Sequence, residues 1–254
     1  LPGSRCVFTT DSYVVKPLFF PGGDIGTLAV CGTVNDLAMQ GARPRYLSLS
    51  LILEEGVEIE LLERVIRSVA HTAEKAGVLI VTGDTKVVEH GQGGGIFINT
   101  AGIGEAIAGA DVSARNGENG DVVIVSGTIG DHGIAVMNAR EDLGLQSNLQ
   151  SDVAPLAEMI GRLLEHPAGI AVLRDPTRGG VSAALCDIAA SSDIGIELVE
   201  NRIPLKKEVR GACNFLGLDP LEVANEGKAL IVCRKNDAGR VLATLHSHPL
   251  GREA

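Results

Sequence analysis

The periods of apolar and polar residues separate strands from helices along most of the chain. Val7–Val15 is a β-branched run broken by Asp11-Ser12. Tyr46–Leu53 alternates Leu and Ser with period two, the pattern of a half-buried strand. Ile59, Leu62, Ile66, Val69 and Ala73 recur at three- and four-residue steps before Gly77, which predicts an amphipathic helix with a glycine C-cap. Asp24 follows the turn Pro21-Gly22-Gly23 and is placed to N-cap the apolar-rich stretch Ile25–Gly41. Val78–Val81 and Ile96–Ala101 read as strands. A second series begins after the linker-like stretch Ala110–Gly120. Its predicted strands are Val122–Val125, Ala171–Leu173, Ile194–Val199 and Ala229–Cys233. Its predicted helices are Ile134–Leu143, Val153–Leu164, Val181–Ala190 and Ala238–His246.

Several strand pairs in this order lack full-length crossover helices, which favours mixed sheets over a doubly wound parallel sheet. The expected fold is therefore α+β, with one domain over residues 1–110 and another over 111–254, each with sheet packed by helices. No internal repeat interrupts this picture. The longest apolar runs fall far short of the roughly 20 residues a membrane helix needs, so no membrane association is expected. The chain begins Leu1-Pro2-Gly3-Ser4 with no apolar leader segment, and five cysteines without a Cys-x-x-Cys fit a reducing, cytoplasmic setting. A formal net charge of -10 and 3% aromatics argue against binding a nucleic-acid backbone.

Four aspartates stand out against their surroundings. Asp11 interrupts an apolar strand, and Asp36 lies inside an otherwise apolar helix. Asp84 and Asp175 each follow a predicted strand. Taken singly, each reads as a cap, a turn or a solvated edge. Together they suggest a site, because buried carboxylates need a cation. Mg²⁺ takes a few carboxylates plus phosphate oxygens, so Asp36, Asp84 and Asp175 are the candidate metal ligands, with Asp11 beside the nucleotide. Lys86, Arg174 and Arg178 are the neighbouring cations, and Lys86 fits either a phosphate contact or a surface charge. Gly127, Thr128 and Gly130 lie in a strand–glycine–helix turn whose backbone amides could cradle an anion. Thr177, Arg178 and Gly179 form a second such turn. Neither turn is a Walker motif. Glu226, between two apolar stretches, fits a general acid or base and equally a β-turn charge. His246 and His248 read as helix-end caps, and the glutamates at 54, 55, 58 and 60 as a solvated helix entry.

The block from Phe8 through Asp11, Pro17-Leu18-Phe19-Phe20-Pro21-Gly22-Gly23, Asp24 and Asn35-Asp36 resembles the hydrogenase-maturation carbamoyl dehydratases, the HypE family. The resemblance extends through Gly83-Asp84-Thr85-Lys86, Gly127–Gly133, Asp175–Gly180, Asn225-Glu226-Gly227-Lys228 and His246–Gly251. That family belongs to the ATP-binding superfamily of aminoimidazole ribonucleotide synthetase, selenophosphate synthetase and thiamine-phosphate kinase. The resemblance implies a two-domain fold, with ATP and Mg²⁺ held across the domain interface and Asn35 among the nucleotide contacts. It implies a homodimer formed by the first domain. It also implies ATP-dependent conversion of a carbamoylated C-terminal cysteine to thiocyanate, the source of cyanide ligands for [NiFe] hydrogenase. In this chemistry Lys86 would stabilise the transferring phosphoryl charge and Glu226 would remove nitrogen protons. The implied partners are the carbamoyltransferase that loads the cysteine and a scaffold complex that accepts the cyanide. Members of the family end in Pro-Arg-Ile-Cys, whereas this sequence stops at Ala254, so no turnover on its own tail is expected. The competing expectations are a sister ATP-dependent kinase or synthetase, and a docking fragment without catalysis.

Overall fold

The computed structural model describes residues 5–91, 94–141 and 148–254. A first domain is built on a four-stranded mixed sheet of β1 (Cys6–Tyr13), β4 (Ala42–Glu54), β5 (Leu79–Val88) and β6 (Ile96–Ala106), in the order β1-β6-β4-β5. The pair β4–β5 is parallel, joined through α2 (Ile59–Ala76), and the other pairs are antiparallel. A small ribbon of β2 (Phe19–Phe20) and β3 (Gly23–Asp24) leads into α1 (Ile25–Met39). Asp24 caps that helix as its sequence position suggests: its Oδ1 accepts from the Gly26 and Thr27 amides. Gly77 takes a left-handed conformation at the end of α2.

The second domain carries an antiparallel sheet in the order β7-β9-β8, from β7 (Val122–Val125), β8 (Ile170–Arg174) and β9 (Leu230–Cys233). Around it lie α3 (Asp131–Glu141), α4 (Ala157–Leu163), α5 (Gly180–Ser192), α6 (Lys207–Leu216) and α7 (Ala238–His246). The fold is α+β with two domains, the first on a mixed sheet and the second on an antiparallel one. The last two positions of the helix expected over Ile134–Leu143, and the starting residues Leu1–Ser4, lie outside the described residues.

Three expectations need correction. β5 runs on to Val88, so Asp84 lies within a strand and not after it. The segment Ile194–Val199 belongs to no sheet among the described residues. Ile196 packs against the cluster of Val172, Val181 and Ile188, so the alternating pattern is met by packing alone, with no ladder partner. Conversely, α6 was not anticipated, although Val209, Ala212 and Cys213 are buried at helical spacing.

Helix α1 is buried along nearly its whole length, between the first sheet, α2 and the second domain. A helix with no solvated face reads as uniformly apolar, which is what the sequence shows. Its close approach to β1 is set by Gly32, where a Cβ would overlap the Tyr13 ring. Behind that contact, the Tyr13 hydroxyl, Thr33 Oγ1 and Thr100 Oγ1 form a buried hydrogen-bonded chain that ends on the Ala29 carbonyl. Replacing Gly32 with Ala is expected to force Tyr13 away and cost about 1–3 kcal/mol, in the range for overpacked cores. Thermal denaturation of the variant, with loss of several degrees in Tm, checks this.

Candidate active site

A cleft of about 640 Å³ opens where β1, α1, α3 and the turn after β8 meet. Its wall carries Asp11, Asp36, Asp175 and Glu226, opposed by Arg174 and Arg178, with Thr177 and His132 beside them. Alternation along β1 points Thr9, Asp11 and Tyr13 towards α1. Thr9 Oγ1 donates to Asp36 Oδ2 at 3.0 Å, which ties the strand to the acidic residue of the helix. The turn Asp175–Gly180 needs glycine at its end: Gly179 and Gly180 have φ of 72° and 62°, and a Cβ on Gly180 would overlap the Leu221 carbonyl. The second large cavity, about 590 Å³ beside β7 and α5, is lined mainly by aliphatic side chains and has no such convergence of acids.

Electrostatics mark the cleft. Burial, reinforced by Asp175, Asp152, Asp11 and Asp36, pushes the Glu226 carboxyl from 4.5 up to about 8. Asp36 is pushed up to about 6 by burial and by the Asp175 charge, against the lowering effect of the Thr9 hydrogen bond. Burial also raises Asp175. It lowers His132, whose Nδ1 lies 2.8 Å from Ser151 Oγ. Several carboxyls in one cleft, each penalised for ionising, make a place where a cation would bind favourably.

The Glu226 backbone is held from two sides. Its N–H donates to Asp152 Oδ1 at 3.1 Å, and its carbonyl accepts from Asn35 Nδ2 at 3.3 Å. Asp152 in turn faces Lys228 Nζ at 3.2 Å. The neighbouring Asn225 accepts from the Gly130 amide and donates to the Pro176 and Val223 carbonyls. The sequence reading passed over Asp152 and Asn225. Asp152 follows a polar run with no pattern around it, and Asn225 was seen only as a flank of Glu226.

Three groups of candidates do not stand where the sequence placed them. Asp84 and Lys86 are on β5, the far edge of the sheet, with β6 and β4 between them and β1. Three strand spacings amount to about 14 Å. The register Asp84–Ser50–Asn99–Ser12 also puts Asp84 on the face of the sheet opposite Asp11 and α1. Lys86 pairs with Ile52, which in turn pairs with Phe97, on that same open face. A sequence cannot show strand order, and this order separates the two from Asp36 and Asp175 within one chain. Asn35 is only 2% exposed, and its amide is engaged by the Ala154 and Glu226 carbonyls and the Leu156 amide, so it does not line the cleft. Gly127, Thr128 and Gly130 are buried, and part of their turn is engaged within the protein. The Gly130 amide goes to Asn225, the Ile129 amide to the Pro204 carbonyl, and Thr128 Oγ1 to Asp131 Oδ2. Of the two turns proposed as cradles, only that of Thr177, Arg178 and Gly179 is open to the cleft.

Two family models account for almost the entire chain. The AIR synthase related protein N-terminal domain matches residues 1–106 and its C-terminal domain matches residues 118–254. Carbamoyl dehydratase HypE of Escherichia coli K12 is 54% identical over 252 residues, covering 99% of this chain and 75% of that protein. The chain belongs to the HypE family. Among solved structures, HypE in a HypE–HypF complex superposes with a TM-score of 0.97 at 51% identity, over 100% of this chain and 83% of that one. HypE in complex with ATP superposes with a TM-score of 0.96 at 47% identity, over 100% and 75%. This HypE-family chain thus shares its fold over its whole length with a relative solved in complex with ATP. Among its described residues, no helix is long and apolar enough to cross a membrane.

The raised Glu226 carboxyl has a measurable consequence. In the unfolded chain it ionises near 4.5, and in the folded chain near 8. The folded state therefore binds more protons between these values, and stability falls as pH rises through that window and levels off above it. Glu226→Gln removes the penalty. Without nucleotide or divalent metal, the variant should melt with the wild type at pH 4.5 and several degrees above it at pH 8.5. Equal melting at both pH values would show that the carboxyl is not held protonated.

Proposed function

We propose that this chain carries out ATP-dependent dehydration of a cysteine thiocarboxamide to a thiocyanate. Glu226 is the proton acceptor, and Arg174, Arg178 and Thr177 receive the phosphates. The observation that carries this reading is a carboxyl of raised proton affinity facing a cleft with both acids and guanidinium groups, in a chain half identical to named carbamoyl dehydratases. An amide oxygen is a poor leaving group until it is phosphorylated. Its attack on the γ-phosphorus of ATP breaks the bond to ADP, and one nitrogen proton passes to Glu226. The C–O bond then breaks, phosphate leaves with the second nitrogen proton, and the C≡N bond is complete. A base whose pKa is near neutrality suits a group that takes and returns a proton.

Magnesium fits the cleft in part. No three acidic, histidine or cysteine side chains among the described residues come close enough to form a metal site alone. Asp36 and Asp175, with Asp11 nearby, offer the few carboxylates that Mg²⁺ uses when phosphate oxygens complete its shell. Bound there, it would neutralise phosphate charge. Asp84 cannot join this set within the same chain.

The reading also includes a homodimer, which gives Lys86 and Asp84 a role. The open face of the first sheet carries a continuous apolar row, Phe8–Ile103–Tyr46–Leu79, exposed by 63, 40, 39 and 63%. An exposed apolar row on a sheet with an uncovered edge strand calls for a partner. A second copy would cover it and bring its β5 to the β1 edge, so that its Lys86 reaches the cleft of the first. The other partners in this reading are the carbamoyltransferase that supplies the thiocarboxamide and a scaffold complex that takes the cyanide.

Incubating the chain with Mg-ATP and a synthetic S-carbamoylcysteine peptide should give ADP, phosphate and peptide that has lost water, read by mass spectrometry. Turnover of ATP with no change in the peptide would sink the assignment. Lys86→Ala and Glu226→Ala should each abolish the product while leaving Tm within a few degrees. Mixing these two inactive variants tests the shared site. Random exchange makes half the dimers mixed, and each mixed dimer has one intact site, so about a quarter of the wild-type rate should return. No recovery would place Lys86 and Glu226 in sites of a single chain.

A further inference from the structure

Asn35 and Asp36 are consecutive on α1, yet they serve different surroundings. Asp36 faces the cleft with Thr9. Asn35 reaches into the second domain and makes three hydrogen bonds there, donating to the Ala154 and Glu226 carbonyls and accepting from the Leu156 amide at 2.7 Å. It is the one side chain shown that bonds the first domain directly to the Glu226 peptide. A buried amide with both its nitrogen and its oxygen engaged fixes its partners closely, because any displacement leaves an unpaired polar group in the interior. The opposite side of the same peptide is fixed by Asp152, which belongs to the second domain.

We propose that Asn35 is a positioning residue for the reaction: by holding the Glu226 carbonyl it sets the Glu226 carboxyl relative to Asp36, so that base and phosphate-binding acids act in one geometry. It does not itself touch nucleotide. The inference rests on the reading of Glu226 as the base. Positioning of this kind is worth large factors in rate, since a displacement of about 1 Å at a reacting group costs on the order of a hundredfold. Binding of ATP, which relies on other side chains, is left alone.

Asn35→Ser is the test, with single-turnover loss of water from the S-carbamoylcysteine peptide at saturating Mg-ATP as one readout and the Kd for ATP as the other. The expected result is a rate about ten- to a hundredfold lower, with the Kd unchanged within about twofold. In a Glu226→Asp background, where the carboxyl is already displaced, Asn35→Ser should add little further loss. A Kd weakened about tenfold with the saturated rate intact would make Asn35 a nucleotide contact and overturn the proposal. An unchanged rate in a folded variant would also overturn it. If Asn35→Ser does not fold, Asn35→Asp keeps the shape and the Leu156 bond but loses both donors, and the same two numbers apply. Failure of both to fold would assign Asn35 a purely structural role. Glu226→Gln separates the two levels: full activity there removes the base itself, whereas an inactive Glu226→Gln beside a fully active Asn35→Ser removes only the positioning.

Discussion

The packing of α1 is the constraint from which the rest of the structure follows. A helix of 15 residues, 13 of them buried, has no solvated face on which to place polar groups. Each polar residue it carries must therefore find a partner within the protein. Thr33 does so through Tyr13 and Thr100, Asn35 through the second domain, and Asp36 through Thr9. These three sets of bonds fix the helix against β1, against β6 and against the Glu226 segment. The cleft opens beside two of them, where β1 and the Glu226 segment approach the helix, so its geometry depends on how one helix satisfies its own polar groups.

The same arrangement explains why the cleft holds so much unfavourable charge. Asp36 and Glu226 come from different domains, and each is raised by its burial and by the acids around it. Folding keeps them together only because the bonds of Asn35, Asp152 and Asn225 act on backbone groups and not on the carboxyls. The carboxyls are left with unspent capacity to interact. Under the proposed function, a triphosphate with its cation would relieve that repulsion, and its binding would stabilise the folded state. Arg174 is turned partly towards Asp187 at 3.3 Å, a half-exposed pair of little energetic weight, so its guanidinium is not committed to that contact.

Much of this could be read in the sequence where the signal was local. The caps at Asp24 and Gly77, the period of α2 and the anomalous acids in β1 and α1 all depend on neighbours within a few residues. Glu226 stood out for the same reason. What escaped was set by distant chain. Strand order put Asp84 and Lys86 three strands from β1, and sheet alternation turned them to the other face. The turn at Gly127–Gly130 has the composition of an anion cradle, but Asn225, 95 residues on, takes its Gly130 amide. Glu54 was grouped with solvated glutamates, whereas its carboxylate accepts from the Gly91, Gly94 and Gly95 amides, which lowers its pKa and anchors the loop after β5.

The open face of the first sheet shows how such a misplacement can itself be informative. Its rows alternate in character: Phe8–Ile103–Tyr46–Leu79 is apolar, Ser12–Asn99–Ser50–Asp84 is polar, and Phe97 and Ile52 resume apolar surface in the row of Lys86. A face meant only for solvent has no reason to carry the first row, and a face meant only for packing has no reason to carry the second. Both make sense if the apolar row supplies the association energy and the polar row is delivered by that association to somewhere it is used. The two charged residues at the β5 end, Asp84 and Lys86, have no salt-bridge partner among the described side chains within their own chain. Sheet parity removes them from the cleft of one chain, and under the proposed homodimer the same parity would present them to a second.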